Sequence, residues 1–546
     1  MAWPWRGAGR KGVLLGLVVA LIRVVGLSGL APPRAPSGAE DVLSLLRQDP
    51  ALAVSSKVAL REGVPVCTAA VGKNEALATF PLERCLVVPT SGAGEEDAWD
   101  MALAGKATLQ RDSAEFEWLN CSSEHLQTRH PLFFTPNEVA SLQYIPLLTR
   151  LQATLEHIHR ESEGLDGLTP DMLAHDYVSA LNSASRFELG PGGAAAVGAL
   201  PFWGLVQLSQ DPNCRVEADV DAGELHVRAT RRIKPKEVLR RGPLAPSEGT
   251  DSSFWHNAQV CVEGRLPEDD VVCLDWNPRL VDMAKEVMGD RGGTRLLSWQ
   301  LKLLRALGLE GRRADRSVLS LRSTSPLDQR LVVALRVTSS PTLDDLRCRF
   351  PGAASLLQLL GNLRKEPLVD PSTGRDTDVN VVPVAISLCS ALLNQYQTNL
   401  EEDCVLYGGN LNTTAVEAAS ALLALEQQVR VVLQAQDASR GMDHADVCTE
   451  ALDEFRSHAW VSLEKARALV GELQPRPALP TTMEQAIMFR MAKKLAIYGA
   501  MTHLLDYLHI DSSSMVLGSV LESPGGVSEG EEEQEHDGKG AGGGDK

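Results

Sequence analysis

The chain lacks cysteine pairs at metal-binding or redox spacing. Its ten cysteines are spread over 546 residues without a C-x-x-C pair, whereas structural zinc sites and redox dithiols commonly use such pairs. The sequence therefore predicts no metal site, and it favours cysteines buried as small apolar residues.

Basic residues are also scarce. The chain carries 53 Lys and Arg against 71 Asp and Glu, for a formal net charge of -18. Binding to a phosphate backbone depends on clustered Lys and Arg that release counterions. Nucleic acid is therefore not an expected partner.

Long apolar runs are absent from residues 40 to 520, so any membrane segment must be N-terminal. Basic residues precede the apolar stretch Val13 to Ile22, and the segment LSGLAPPRAPSGA follows, as in a signal peptide. The alternative is a membrane anchor. Because Arg23 interrupts the stretch, cleavage is favoured, and contact with a membrane is expected only if the segment stays uncleaved.

The small, Pro-rich part of this leader, LAPPRAP, also resembles the plastid-targeting leaders of algae with secondary plastids. A plastid location reached through a secretory-type leader is the expectation. The secretory pathway or membrane anchoring is the alternative.

The first half of the chain mixes strand and helix patterns. Residues 54 to 90 alternate as in strands, and Asp221-Ala222-Gly223 is typical of a hairpin turn. Thr135-Pro136 with Glu138 predicts a capping box at a helix start. Thr169-Pro170 predicts a second helix start, with the helix extending through Phe187.

From about residue 270 the apolar residues recur at helical spacing, which predicts an all-helical layer. Thr398-Asn399-Leu400-Glu401 predicts a capping box there. A last helix begins near Thr481. The acidic, Gly-rich tail from Glu522 is typical of disorder.

Four stretches resemble the SET-domain protein-lysine methyltransferases of the Rubisco large-subunit type. In chain order they are AAVGKNEALATFPLERCLV, PLFFTPNEVASLQYIPLL, PFWGLVQLSQDPNCRVEADVDAGELHVRATRRIKPKEVLRRGP and NQYQTNLEEDCVL. Together they span roughly residues 50 to 435, in the order that the family has them.

The resemblance implies an α+β fold class: a SET-type irregular β fold with a helical insert, followed by an all-helical substrate-binding domain. The expected divisions are a leader (1–40), a SET-like domain (41–265) with its insert at about 115–185, a helical Rubisco-methyltransferase-type domain (270–435), C-terminal helices (440–515) and a disordered acidic tail (522–546).

The resemblance also implies a cofactor, S-adenosylmethionine, and a protein substrate or partner bound by the helical domain. In the family, an Asn-His-Ser loop contacts the cofactor. Here that loop begins Gln207-Leu208-Ser209, and Leu208 has no hydrogen-bonding group. The position just upstream, commonly acidic in the family, is Gly204.

Two tyrosine positions of the family are also changed. Arg241 stands where the family has the core Tyr that orients the reacting groups, and a permanent cation there should repel both a sulfonium and a lysine. Asn257 falls near the second Tyr by a looser match. Arg186 matches the family's Ser-Arg pair at the end of the insert, a cofactor contact.

Each of these residues also has a plain structural interpretation. The Asp211-Pro212-Asn213 segment is an ordinary turn, Arg186 can pair with a carboxylate on its helix, and Cys214 is a buried filler. Histidines, His130 among them, are expected at the surface or as caps.

Three functional hypotheses follow. The first is an active S-adenosylmethionine-dependent protein-lysine N-methyltransferase. The second is a catalytically inactive SET-fold protein that binds a protein partner through its helical domain. The third is a helical interaction protein with a SET scaffold. Leu208 and Arg241 favour the second, although the family activity describes the ancestry.

Overall fold

A computed structural model describes most of the chain between residues 39 and 505. The described residues are 39–49, 51–90, 99–111, 113–116, 118–119, 129–163, 168–189, 194–244, 249–260, 270–274, 296–309, 319–322, 328–340, 342–366, 381–408, single residues between 414 and 427, 449–477 and 479–505. Residues 1–38 of the expected leader and the whole of the expected acidic tail lie outside this set.

Thirteen strands are defined in the described residues. They are Ala53–Val54 (β1), Val58–Arg61 (β2), Val64–Cys67 (β3), Ala76–Pro81 (β4), Leu86–Pro89 (β5), Ala184–Glu188 (β6), Ala195–Ala199 (β7), Gln207–Leu208 (β8), Cys214–Asp219 (β9), Glu224–Ala229 (β10), Arg240–Arg241 (β11), Val271–Leu274 (β12) and Leu319–Arg322 (β13).

Fourteen α-helices are defined in the same residues. They are Ala39–Gln48 (α1), Trp99–Gln110 (α2), Pro136–Leu142 (α3), Ile145–Glu163 (α4), Pro170–Asn182 (α5), Thr250–Asn257 (α6), Ser298–Ala306 (α7), Gln329–Ser339 (α8), Leu343–Arg349 (α9), Leu356–Lys365 (α10), Val381–Leu393 (α11), Leu400–Gly408 (α12), Thr449–Glu472 (α13) and Thr481–Leu505 (α14).

The strands form small separate sheets. One has the order β1-β4-β10-β9, another the order β5-β7-β6, and the pairs β2-β3, β8-β11 and β12-β13 stand as two-stranded sheets. The β8-β11 pair is parallel. Several short sheets interrupted by helices, followed by a mainly helical half, confirm the predicted α+β class.

The predicted turns and caps are largely confirmed. The β9-β10 hairpin turns at residues 220–223, where Asp219 Oδ1 accepts the Ala222 amide at 3.0 Å and Gly223 takes a positive φ of 67°. The Thr135 capping box begins α3. Gln143 then takes a left-handed φ of 53°, so that α3 ends before α4 begins.

Two predicted boundaries were wrong. The α5 helix ends at Asn182 and does not reach Phe187, because Ala184 to Glu188 pair with β7 as a strand. The capping box of α12 lies one residue later than predicted. Asn399 and Glu402 exchange the two capping hydrogen bonds at 2.8 and 2.7 Å.

The helical half also contains a sheet that the sequence did not predict. The β12 and β13 strands pair antiparallel between Val271 and Arg322. Both strands pack against α14. Nearly every side chain of α14 from Ala486 to Leu505 is buried, so this helix lies at the centre of the molecule.

Within the described residues, the helices are either too short or too polar to span a bilayer. The same residues contain no group of three or more His, Cys, Asp or Glu side chains placed to hold a metal ion.

Candidate functional site

The loop between β8 and β9 is tied to the chain that leads into β11. Asn213 is fully buried, and its side chain donates to the Val238 carbonyl at 2.8 Å and accepts the Arg240 amide at 2.7 Å. The Ser209 amide donates to the Arg241 carbonyl at 2.8 Å. These bonds fix Leu208 and Arg241 as direct partners in the parallel ladder.

Arg241 is held inside the protein by neutral groups. Its Nε donates to the Val206 carbonyl at 2.9 Å, and its Nη2 donates to Asn182 Oδ1 at 3.1 Å. The guanidinium carbon lies 5.9 Å from the centre of the Trp203 ring. Burial lowers the pKa of Arg241 to about 10, so the side chain is still a cation at neutral pH.

The two residues predicted at the tyrosine positions converge on one amide. Asn182, at the end of α5, accepts from Arg241 and also from Asn257 Nδ2 at 3.3 Å. Its own Nδ2 donates to the Gly204 carbonyl at 3.1 Å. The structure therefore brings Arg241, Asn257 and Gly204 together around Asn182.

The residues that begin the loop, Gln207, Leu208 and Ser209, differ in their exposure to solvent. Leu208 is only 3% exposed and presents no polar atom. Ser209 is buried, and its Oγ accepts the Asp211 amide at 3.0 Å. Gln207 is exposed. Of the three, only Gln207 presents a side-chain amide to the outside.

Arg186 lies on a strand and not on a helix, so the expected carboxylate partner along its helix was wrong. It is exposed on β6, and its charge contributes to a pKa of His256 far below the ordinary value, a shift caused mainly by burial.

Cys214 is buried, as expected for a filler. Its thiol donates to the Arg240 carbonyl at 3.0 Å. Burial raises the pKa of this thiol to about 12. The thiol is therefore protonated at neutral pH and unsuited to act as a nucleophile.

Asn182 and Asn213 are the site residues that the sequence did not reveal. Asn213 follows a proline in a segment that is typical of a turn, and nothing in its neighbourhood signals full burial. Asn182 ends a helix that the sequence extended by five residues. Its role depends on contacts with residues 22 to 75 positions away.

A second buried polar centre lies on α14. Lys493 contacts Asp251 at 2.9 Å and Asp270 at 3.1 Å. Arg490, about one turn earlier, and Lys494, the next residue, share Asp403 at 2.7 and 2.5 Å. The carboxylates belong to both halves of the chain, so α14 joins them through ion pairs.

A small, partly enclosed pocket lies between the two halves beside this centre. Apolar side chains line it together with two tyrosines and two glutamines: Gln143, Tyr144, Ile145, Pro146, Val272, Cys273, Leu274, Leu392, Gln395, Tyr396 and Ile497. Tyr144 anchors one wall, since its hydroxyl donates to Asp251 at 3.2 Å and accepts the Cys273 amide at 2.7 Å.

Three solved structures are similar to the chain at low sequence identity. The SET domain of LSMT bound to lysine and AdoHcy is 13% identical, with 69% of this chain and 86% of that chain covered and a TM-score of 0.46. Rubisco LSMT bound to AdoMet is 12% identical, with coverages of 80% and 93% and a TM-score of 0.46. Rubisco LSMT bound to sinefungin and monomethyllysine is 13% identical, with coverages of 70% and 87% and a TM-score of 0.45.

No curated protein sequence matches the chain, but the model of one protein family matches part of it. Residues 292–434 match the family described as Rubisco LSMT substrate-binding. The resemblance to the Rubisco large-subunit type of SET-domain protein-lysine methyltransferase, first made from four sequence stretches, is thereby confirmed in the helical half of the chain.

Proposed function

We propose that the chain is a SET-type relative of the protein-lysine methyltransferases that no longer transfers methyl groups and that binds a protein segment. The observation that carries this proposal is Arg241. By the sequence resemblance it stands at the position of the family's core tyrosine, and bonds to Val206 and Asn182 hold its guanidinium inside the protein.

The residues at the family's motif positions do not fit S-adenosylmethionine. The cofactor carries a sulfonium, and two positive charges about 4 Å apart repel by about 4 kcal/mol at an effective dielectric constant of about 20. Leu208, which the resemblance aligns with the loop histidine, is buried and has no donor or acceptor. No step of methyl transfer is therefore assigned to these residues.

Two features support binding of a protein segment. Residues 292–434 match a substrate-binding family, and the pocket between the halves combines apolar side chains with polar groups at Gln395 and Tyr396. Such a pocket can hold one side chain of a bound segment, with the apolar walls burying it and the polar groups fixing its orientation.

Calorimetric titration with S-adenosylmethionine tests the loss of methyl transfer. The unmodified protein should not bind the cofactor, whereas Leu208→His with Arg241→Tyr should restore binding, since the pair removes the repelling charge and returns a hydrogen-bonding ring. Binding by the unmodified protein at micromolar strength would contradict the proposal and favour an active methyltransferase.

A substitution at the pocket tests the binding of a protein segment. Gln395 is exposed at the pocket, and Gln395→Trp should fill the pocket and weaken capture of a crosslinked partner by about tenfold or more. Gln110→Trp, at an exposed position of α2, is the matched control. Equal capture by both variants would place the partner elsewhere.

A plastid location remains part of the proposal. It rests on the leader sequence alone.

A further inference from the structure

The pocket between the two halves is the size of a single side-chain group. Its cavity volume is about 70 Å³. A single water molecule needs about 10 to 15 Å³ of cavity. The pocket is only partly enclosed, and Gln395 is exposed beside it. A group larger than water can therefore enter from solvent, whereas a folded element cannot.

Two polar side chains of the pocket wall are already paired. The Tyr144 hydroxyl donates to Asp251 at 3.2 Å and accepts the Cys273 amide at 2.7 Å. The Gln143 Oε1 atom accepts the Gln397 amide at 2.8 Å. These bonds hold the wall in place and leave the recognition of an occupant to other groups.

The Tyr396 hydroxyl is such a group. Tyr396 lines the pocket in the segment that follows α11, and it is only 9% exposed. Its hydroxyl oxygen is buried and has no hydrogen-bond partner among the described residues. Buried polar groups in native proteins are normally paired. The hydroxyl is therefore available to a group that enters the pocket, and the neighbouring Gln395 adds a side-chain amide at the same place.

The charges behind the pocket wall are balanced. Lys493 Nζ lies 5.6 Å from the centre of the Tyr144 ring, and Lys494 Nζ lies 4.8 Å from the centre of the Tyr396 ring. Each ammonium is already paired with a buried carboxylate. An ion that entered the pocket would lose its hydration without gaining a free counter-charge. The pocket therefore favours an uncharged occupant.

A carboxamide matches the two polar groups of the pocket. The Tyr396 hydroxyl donates and accepts, and so does the Gln395 amide. A carboxamide carries one acceptor oxygen and two N–H donors on a short apolar stem, so that it can bond to both groups at once. A serine or threonine hydroxyl has a single donor, and an apolar occupant would leave the Tyr396 hydroxyl unpaired at a cost.

We propose that the pocket binds the carboxamide of an asparagine or glutamine side chain of a protein segment, with Tyr396 and Gln395 as its hydrogen-bond partners. This inference deepens the proposed function and rests on it, since it names the side chain by which the bound segment is recognised.

Saturation-transfer NMR titration of the full chain tests it with three probes that share the same backbone amides. They are N-acetylglutamine N-methylamide, the matching glutamate compound and the matching methionine compound. The glutamine probe should bind about tenfold more tightly than the other two, because the glutamate probe carries a charge and the methionine probe cannot pair the Tyr396 hydroxyl.

Tyr396→Phe removes the hydroxyl that recognises the probe. It should weaken binding of the glutamine probe by about tenfold and leave the methionine probe unchanged. Because the hydroxyl has no partner among the described residues, the thermal unfolding midpoint should stay at or above that of the parent. Tyr407→Phe is the matched control, since the Tyr407 hydroxyl lies 3.5 Å from Glu484 on α14 and outside the pocket lining. It should leave both probes unchanged.

A second variant keeps the test valid if Tyr396→Phe does not fold. Gln395 is exposed, so Gln395→Leu should fold, and it should weaken the glutamine probe but not the methionine probe. Equal binding of the three probes by the parent, or a glutamine probe that binds both variants as tightly as the parent, would overturn the inference. N-methylacetamide that binds as tightly as the glutamine probe would assign the pocket to a backbone amide and would also overturn it.

Failure of the proposed function gives a different result. It shows as binding of S-adenosylmethionine or as partner capture that Gln395→Trp does not change, and neither measurement involves the probes. Loss of the glutamine preference, with partner capture still sensitive to Gln395→Trp, overturns this inference alone.

Discussion

At the scale of single residues, His130 shows how burial changes the chemistry of a side chain. The sequence predicted His130 at the surface or as a helix cap. It caps the 3-10 helix Pro131–Phe133, but it is fully buried. Its Nε2 donates to the Trp255 carbonyl at 2.6 Å, and its Nδ1 accepts the Leu132 amide at 3.2 Å. Both ring nitrogens are therefore used by the neutral form.

Acid should destabilise the protein through this residue. Burial lowers the pKa of His130 to about 3 from an ordinary value of 6.5. Below pH 6.5 the unfolded chain binds a proton at this histidine and the folded chain does not. The free energy of unfolding that is present above pH 6.5 is therefore lost as the pH falls towards 3. At pH 4.5 the loss from His130 is about 2.5 kcal/mol relative to pH 7.

The measurement is urea unfolding of the parent and of His130→Gln at pH 7 and pH 4.5. Glutamine keeps a donor near the Trp255 carbonyl but does not titrate, so the variant should lose about 2.5 kcal/mol less between the two pH values. His157→Gln, on the outer part of α4, controls for removal of a histidine. Identical losses in the parent and in His130→Gln would refute this account.

At the scale of secondary-structure elements, sequence patterns located the first residues of helices better than their last residues. Proline and Thr at the beginnings of α3 and α5 are strong local signals, and both helices begin there. The end of α5 was missed because strand pairing with β7 competes with helical propensity, and the residues themselves do not reveal it.

The capping box of α12 illustrates the same limit. Thr398 and Glu401 have the required spacing, but so do Asn399 and Glu402. The structure selects the second pair because Thr398 has another partner: its amide and hydroxyl donate to Gln143 Oε1 at 3.3 and 3.2 Å. A contact between residues 255 positions apart therefore determines which residue caps this helix.

In the candidate site, too, the sequence revealed residues that belong to local motifs and missed residues whose role depends on distant contacts. Leu208 and Arg241, which pair with each other in the structure, could be singled out from the sequence because both lie in stretches that resemble family motifs. The bonds from Asn182 and Asn213 were not, since hydrogen bonding by a buried amide leaves no periodic trace in the sequence.

At the scale of the whole molecule, α14 joins the two halves through buried charge. Asp403 is fully buried on α12 and accepts from Arg490 and Lys494. Arg490 also donates to the Ser141 carbonyl on α3 at 2.8 Å. Asp403→Asn should lower the free energy of unfolding by about 3 to 5 kcal/mol, because it leaves buried cations without their counter-charge.

Denaturant unfolding checks this value. Asp344→Asn removes a carboxylate that is 87% exposed and 3.7 Å from Arg347, and it should cost less than about 1 kcal/mol. A similar small loss in Asp403→Asn would mean that α14 is held by its apolar contacts alone.

The place of α14 in the chain also sets when the molecule can be completed during synthesis. Lys493 emerges from the ribosome 223 residues after Asp270, to which it donates. At about 5 to 20 residues per second, that interval lasts about 10 to 45 seconds. Throughout it, the nascent N-terminal half holds an acidic pair and an apolar surface that await a helix not yet made. The contacts of α14 can therefore form only late in synthesis, and a chain terminated ahead of α14 would leave the acidic pair and the apolar surface without that helix.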